Sequence, residues 1–402
     1  MKTKKHCTAF HRFFYFTARP FVWMITRWIW GYRSKARYKI KKGEKILVLS
    51  NHQTDIDPLC IMMSFNRPVY TVGTDSLFNS PMSKLFYGKM LGMIPKRKGV
   101  ADIQATSKMM QVSKEGGSLL LFPEGNRTYA EFQYYISPSF PKFVKTLGCT
   151  LVLFRLEGGT GTRPRFKHKR RKGNFSGKIA QVIPYEDYKD VPDEDLLDAI
   201  KDAIKVYDSE SHDLYKSPIR AEYLEREFFY CPKCGSVSTL RSEKEHFRCS
   251  NCGLDVIFTE NMHFESDDPE FKFKTMLDWW NAQKIFIRSM NIKPNEIIFK
   301  DENVQLYEAN AFTKRKLIHQ GDMTLTDEEL TFGDIVLPVK DIKYSSVISG
   351  KNLSFQIGNT TYLIVGHDRF NPLKYAFIFN KLDTIMKEKH TDDYYNLKED
   401  SR

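Results

Sequence analysis

Cys231, Cys234, Cys249 and Cys252 read as CPKC, a spacer of 14 residues and CSNC, with Gly235 and Gly253 directly after the two pairs. A knuckle of this form turns two thiolates toward one point, because glycine after the second cysteine tolerates a positive φ. Two knuckles together close a tetrahedral shell. The spacing is therefore that of a zinc ribbon and predicts a structural Zn2+ with no open coordination position. Cys7, Cys60 and Cys149 are scattered elsewhere. These leftover thiols, and an N-terminal stretch without the continuous apolar core of a secretory signal, argue against a disulfide framework and for a reducing compartment.

With 402 residues, the chain has room for more than one core around that ribbon. Over 41–210, short apolar runs (KILVLS, PVYTVG, SLLLF, TLVLFRLEGG, KIAQVIPY) alternate with helical patterns, which predicts an α/β domain with a mixed sheet flanked by helices. Residues 211–228 read as a linker helix, 229–258 as the ribbon, and 259–290 as a helix capped by Asp267 or Asp268. From 291 to 390, alternating runs between Gly, Asn and Asp turns predict a small antiparallel β domain closed by a C-terminal helix, and 391–402 a polar tail. This β pattern resembles a pleckstrin-homology or GRAM-like module.

Two blocks bear reactive side chains. The strand ILVLS runs into NHQTDID (Asn51 to Asp57), and SLLLF runs into FPEGNRT (Phe122 to Thr128), so both blocks stand at carboxyl ends of strands, where α/β folds place their sites. His52 and Asp57 are five apart and diverge on an unbroken helix, so they meet only if the chain bends; Asp55, three residues on, competes for the imidazole. Spacing alone does not choose between them. In the second block Glu124 and Arg127 put a carboxylate near a guanidinium that can bind phosphate through a fork.

Together, NHQTDID and FPEGNRT, in this order and about seventy residues apart, resemble the glycerolipid acyltransferase family that acylates lysophosphatidic acid. The resemblance covers about residues 40 to 205. It implies that His52 is the general base and Asp57, not Asp55, its partner. It further implies that Glu124, Gly125 and Arg127 bind the acceptor, with Arg97 or Lys98 from the block GMIPKRK as further phosphate ligands. The implied co-substrates are a lysophospholipid and an acyl-CoA or acyl-ACP (acyl carrier protein) thioester. With residues 1–40 added, the expected architecture is an acyltransferase domain preceded by interfacial helices and followed by the ribbon and the β domain.

Charge locates the partner. The net charge is +13, and residues 1–50 supply most of it: 13 Lys and Arg against Glu44 alone. Within this arm FHRFFYFTARPFVWMITRWIW (Phe10 to Trp30) is rich in Phe and Trp yet broken by Arg12, Arg19, Pro20 and Arg27, too interrupted for the ~20 apolar residues of a membrane span. A pair of amphipathic helices hinged at Pro20, lying on an anionic membrane surface, is the expected form. This places the protein on the cytoplasmic face of a membrane as a peripheral or monotopic enzyme. A second basic run, RPRFKHKRRKG, follows from Arg163, with no acid between Gly158 and Lys178. The rivals are a nucleic-acid-binding protein and a non-catalytic lipid-binding scaffold whose ribbon or β module docks a protein partner. Dense aromatics and a charge-balanced ribbon spacer disfavour nucleic acid, and the intact His52, Asp57, Glu124 and Arg127 set disfavours the scaffold.

Overall fold

The computed structural model describes residues 5–78, 80–96, 102–167, 169–309, 315–348 and 350–387. Arg97, Lys98 and the 391–402 tail lie outside the described residues. The chain divides into two compact units, one running up to Tyr215 and the other from Lys216 onward, with Arg165, Phe166 and Lys167 counted in the second.

The first unit is built on a six-stranded sheet: β1 (Ile46–Ser50), β2 (Val69–Thr74), β3 (Ile94–Lys96), β4 (Ser118–Leu121), β5 (Thr150–Glu157) and β6 (Ser176–Ile183), in the order β3-β2-β4-β1-β5-β6. Strands β1 to β5 run parallel and β6 pairs antiparallel with β5. Every residue of β1 is buried, as a central parallel strand covered on both faces requires. Alternation sends Leu47 and Leu49 to one face, against the helices Ile103–Lys114 and Asp193–Ile204, and Ile46 and Val48 to the other, against Cys60, Ile61 and Phe65. Two cores thus clamp the strand that carries the reactive block.

Preceding the sheet is one helix, Ala9–Met24, capped by the Thr8 side chain. The expected hinge at Pro20 does not form. Proline costs the helix one backbone hydrogen bond, but the irregularity falls further on, in a π-turn over Ile25–Ile29. One edge of the helix is docked: Tyr15 Oη donates to the carbonyls of Met62 (2.8 Å) and Phe65 (2.7 Å), and Arg19 Nη2 to that of Met63 (2.9 Å). Phe13, Phe21 and Trp28 remain about two-thirds exposed, with Phe10 and Phe16 about half exposed. Among the described residues no helix is long and apolar enough to cross a membrane.

In the second unit, β7 (Leu240–Glu243), β8 (His246–Cys249), β9 (Asp255–Phe258) and β10 (Phe264–Glu265) make a four-stranded sheet. Strands β11 (Phe299–Glu308), β12 (Lys316–Leu325), β13 (Glu329–Phe332), β14 (Ile335–Pro338), β15 (Ile342–Ile348), β16 (Asn352–Ile357) and β17 (Thr360–Val365) make a seven-stranded antiparallel sheet. The helix Leu373–Lys387 follows, as the C-terminal pattern leads one to expect. Two expectations fail here. Residues 211–228 form turns and one 3-10 turn, Leu224–Arg226, in place of a linker helix. Tyr223 stands at φ +70°, and Glu225 and Arg226 are buried; Glu225 accepts from Ser242 Oγ and Arg226 donates to the Phe166 carbonyl. The helix expected over 259–290 begins only at Met276 and ends at Ser289, capped by Thr275 in a reciprocal box with Asp278. Asp268 is instead paired with Lys233 at 2.6 Å, and Phe271 and Phe273 pack against the buried Trp279 from chain outside any helix or strand.

Candidate active site

β1 and β4 are parallel neighbours in register at Leu49 and Leu121, so the two reactive blocks leave the sheet side by side. Asn51 ties the first exit down: its side-chain amide donates to the Leu156 carbonyl (2.9 Å) and accepts from the Leu156 amide (2.8 Å), extending the pairing toward β5. The chain then turns, and a short helix, Asp57–Met62, starts with Pro58 in its first turn. This turn supplies the bend that the five-residue spacing demands. His52 Nδ1 stands 2.9 Å from Asp57 Oδ2.

Asp57 is fully buried and satisfied. Its Oδ2 accepts from the amides of Gln53 (2.7 Å) and Thr54 (2.8 Å), and its Oδ1 from Thr54 Oγ1 (2.5 Å). These donors fix the carboxylate in place, so that its Oδ2 can accept a hydrogen bond from His52 Nδ1 and leave Nε2 as the other ring nitrogen. Asp55 faces the other way: its carboxylate is 61% exposed and lies 3.4 Å from Arg163 Nη2. The His52 ring stacks on Phe122 with centroids 4.0 Å apart and planes 17° from parallel, which limits its rotation.

The second block wraps the first. Gly125 stands at φ +65° and its amide donates to the Phe122 carbonyl, a tight turn that glycine makes without strain. The Thr128 amide donates to the His52 carbonyl at 2.9 Å. Glu124 points inward, accepting from the Tyr134 amide at 3.0 Å, and burial pushes its carboxyl up to about 8 against the pull of the Tyr134 and His52 amides. Arg127 is half-buried on the same loop, its amide bound to Asn126 Oδ1. The structure thus gathers His52, Asp57 and Glu124 and sets Arg127 three residues away, while Arg97 and Lys98 lie outside the described residues.

Three further polar residues were not singled out by sequence. Gln53 accepts from the Gly159 amide (2.9 Å) and donates to Asp208 (3.1 Å), while Asp208 also accepts from the amides of Gly158 (2.7 Å) and Thr160 (3.0 Å). Glu131, at φ +64°, accepts from the Ser209 amide and lines the same small cleft as His52, Glu124 and Thr128. Burial raises both acids above the ordinary carboxylate range, and for Glu131 the charge of Asp208 adds to it. Gln53 belongs to the NHQTDID block; Glu131 and Asp208 belong to no motif, and only the fold brings Glu131 to the cleft and Asp208 to Gln53.

The second unit holds a different cluster. The sulfurs of Cys231, Cys234, Cys249 and Cys252 all lie within 4.8 Å of one another, with Cys231 to Cys252 at 3.7 Å and Cys234 to Cys249 at 3.8 Å. A tetrahedral zinc with Zn–S bonds of ~2.3 Å has edges of about 3.8 Å, so the set fits such an ion. The two knuckles match: Gly235 and Gly253 stand at φ +73° and +74°, and their amides donate to the carbonyls of Cys231 and Cys249.

Residues 32–176 match the family model described as Acyltransferase. Over 89 residues the chain is 28% identical to a 1-acyl-sn-glycerol-3-phosphate acyltransferase of Borreliella burgdorferi. That segment is 22% of this chain and spans 36% of the relative's length. Among solved structures, the lysophosphatidate acyltransferase PlsC of Thermotoga maritima aligns over 47% of this chain and 76% of its own, at 16% identity and a TM-score of 0.41, a likeness too slight to carry an argument.

Proposed function

We infer, from a chain whose residues 32–176 form an acyltransferase-family domain, that the first unit transfers a fatty acyl group from a thioester donor to the free hydroxyl of a lysophospholipid, with 1-acyl-sn-glycerol-3-phosphate as acceptor and phosphatidic acid as product. The observation that carries this reading is the 2.9 Å contact between His52 and Asp57 at the carboxyl end of β1, beside buried Glu124. A glycerol hydroxyl is a poor nucleophile at neutral pH. In the proposed reaction His52 Nε2 takes its proton as the oxygen attacks the thioester carbonyl, and Asp57 favours the imidazolium that forms, a contribution of roughly 10² to 10⁴ in rate. Collapse of the tetrahedral intermediate expels the donor thiolate, which takes the proton back from the imidazolium.

Arg127, with Arg97 or Lys98, holds the acceptor phosphate and so aims its hydroxyl. Buried Glu124 braces the loop between His52 and Arg127. Transfer is direct: Cys60 and Cys149 are buried, and burial pushes both thiols above their ordinary pKa, away from a nucleophilic role. The exposed aromatic edge of the Ala9–Met24 helix, in an arm dense with Lys and Arg, supports attachment to an anionic membrane surface as a peripheral enzyme on the cytoplasmic face. In the second unit the four cysteines hold Zn2+ as a structural ion, whose role is to fix the ribbon, and the ribbon or the β sheet offers a surface for a protein partner.

The test is purified protein with liposomes, a panel of lysolipids and acyl-CoA or acyl-ACP donors, read by mass spectrometry. His52→Ala is expected to lose at least ~10²-fold in turnover while melting and vesicle binding stay as in the wild type. Wild-type turnover in that variant overturns the reading.

A further inference from the structure

We propose that Arg163, Arg170 and Arg33 form a phosphate-binding site on the rim of the His52 loop, at the foot of the exposed aromatic helix. Two backbone hydrogen bonds and one from a side chain bring their segments together. The Arg171 amide donates to the Thr162 carbonyl (2.7 Å), which sets residues 170 and 163 beside one another, and the Arg33 amide donates to the Phe175 carbonyl (2.8 Å). Arg170 Nη1 then reaches the Ile29 carbonyl at 3.0 Å.

Its guanidinium lies over Gly31, where an added Cβ would sit 2.1 Å from Nη2, so glycine at φ +70° both makes the turn and seats the cation. Arg163 Nη2 makes a long contact, 3.4 Å, to the largely exposed Asp55, and its Nε is buried with no acceptor among the described residues. A buried guanidinium N–H without an acceptor calls for one from outside. Burial and then the positive charges of Arg163 and Arg33 hold the Arg170 guanidinium below its ordinary pKa, as expected of cations gathered with too little counter-charge.

Phosphate is the ligand chemistry that fits. Guanidinium forks bind its oxygens in pairs, and several forks can share one dianion. The neighbours Trp28 and Ile29 are strongly exposed and apolar, while Asp55 belongs to the loop between His52 and Asp57. A phosphate here is therefore either a bilayer phospholipid headgroup or a phosphate of a coenzyme A donor. The second source rests on the acyl-transfer reading above; the experiment below needs no turnover, so failure of that reading leaves it intact.

The full chain is tested as wild type, Arg163→Gln/Arg170→Gln and Arg163→Lys/Arg170→Lys. Each is measured by flotation with phosphatidylcholine vesicles containing phosphatidylglycerol and by calorimetric titration with coenzyme A. The Gln pair is expected to weaken one of the two interactions about tenfold or more, at ~1 kcal/mol per basic residue near phosphate. Loss of vesicle binding alone identifies the headgroup as the source, and loss of coenzyme A binding alone identifies the donor. The Lys pair, which keeps the charge and loses the fork, should fall well short of wild type in the same assay. Wild-type behaviour of the Gln pair in both assays overturns the site, and so does a Lys pair equal to wild type, which reduces it to diffuse charge. Should the double variants fail to fold, Arg33→Gln, an exposed position, supplies the same comparison.

Discussion

The cysteine cluster and the His52 corner both hold reactive side chains with backbone amides, yet they are assembled in opposite ways. The cluster is local. Its ligands fall within Cys231 to Cys252, on two knuckles of the same conformation, and each glycine sits directly after its cysteine pair. The corner is collected from His52, Asp57, Glu124, Glu131 and Asp208, with Gln53 bridging the loop to Asp208 and Gly159. The cluster owes its geometry to spacing, whereas the corner owes its geometry to a buried polar network. A local device built on a bound ion, as proposed for this cluster, fails all at once when that ion is removed. A distributed one degrades by degrees.

The largest expected effect follows in the second unit. Cys231→Ser with Cys252→Ser removes half the shell, and structural zinc is worth ~10 kcal/mol or more in small domains. The variant should lose one equivalent of zinc by elemental analysis and the near-ultraviolet signal of Trp279, which packs on Phe247 beside the cluster. Retention of both would erase the contrast between the two regions.

Next is the choice between neighbouring acids. Asp57→Asn should cost roughly 10² or more in turnover because the imidazole loses the partner that sets its tautomer, whereas Asp55→Asn should stay within about threefold. Steady-state kinetics of the two variants side by side checks this; equal losses would mean the 2.9 Å contact does not set the base.

The third effect is the pH dependence of stability. Glu124 titrates at about 8 in the fold and near 4.5 when unfolded, so the folded state binds the proton more tightly. Its contribution is complete below about 4.5, declines as pH rises toward 8 by at most ~1.4 kcal/mol per unit, and then levels off. Buried Glu131 and Asp208 act with the same sign. Denaturant melts between pH 5 and 8 should therefore show falling stability, and Glu124→Gln should flatten part of that fall. An unchanged slope would remove Glu124 from the network.

The smallest is Gln53→Leu. It leaves the Gly159 amide and one bond to Asp208 unmade, an expected loss of about 1 to 3 kcal/mol in denaturant unfolding, with zinc content unchanged. A neutral result would show that the network tolerates gaps and is less distributed than its bonds suggest.

Much of the first unit was legible because it depends on periodicity. The strand β1, the block after it and the helix Asp193–Ile204 lie where apolar alternation and helical spacing predict them. Pro20 misled because proline marks a lost hydrogen bond and not its consequence, and the helix absorbed that loss without a hinge. The 211–228 segment misled because apolar and charged residues at helical intervals also suit a buried, turn-rich chain, and here Tyr223 at positive φ breaks the helix. The cap at Thr275 is written in the sequence as Thr-x-x-Asp, while the acids upstream at Asp267 and Asp268 belong to the chain before the helix.

What the sequence by itself determined about this protein is whatever depends on near neighbours: the thiol knuckles, the two reactive blocks at strand ends, and the concentration of charge and aromatics in one arm. Tertiary structure alone decided that Asp57 faces His52 while Asp55 faces Arg163, that Glu131 lines the cleft and Asp208 meets Gln53, and that Arg33, Arg163 and Arg170 adjoin. The physical reason is range. Backbone conformation and side-chain periodicity are set within a few residues, but burial and the meeting of charges depend on which distant segments the sheet and its helices bring into contact.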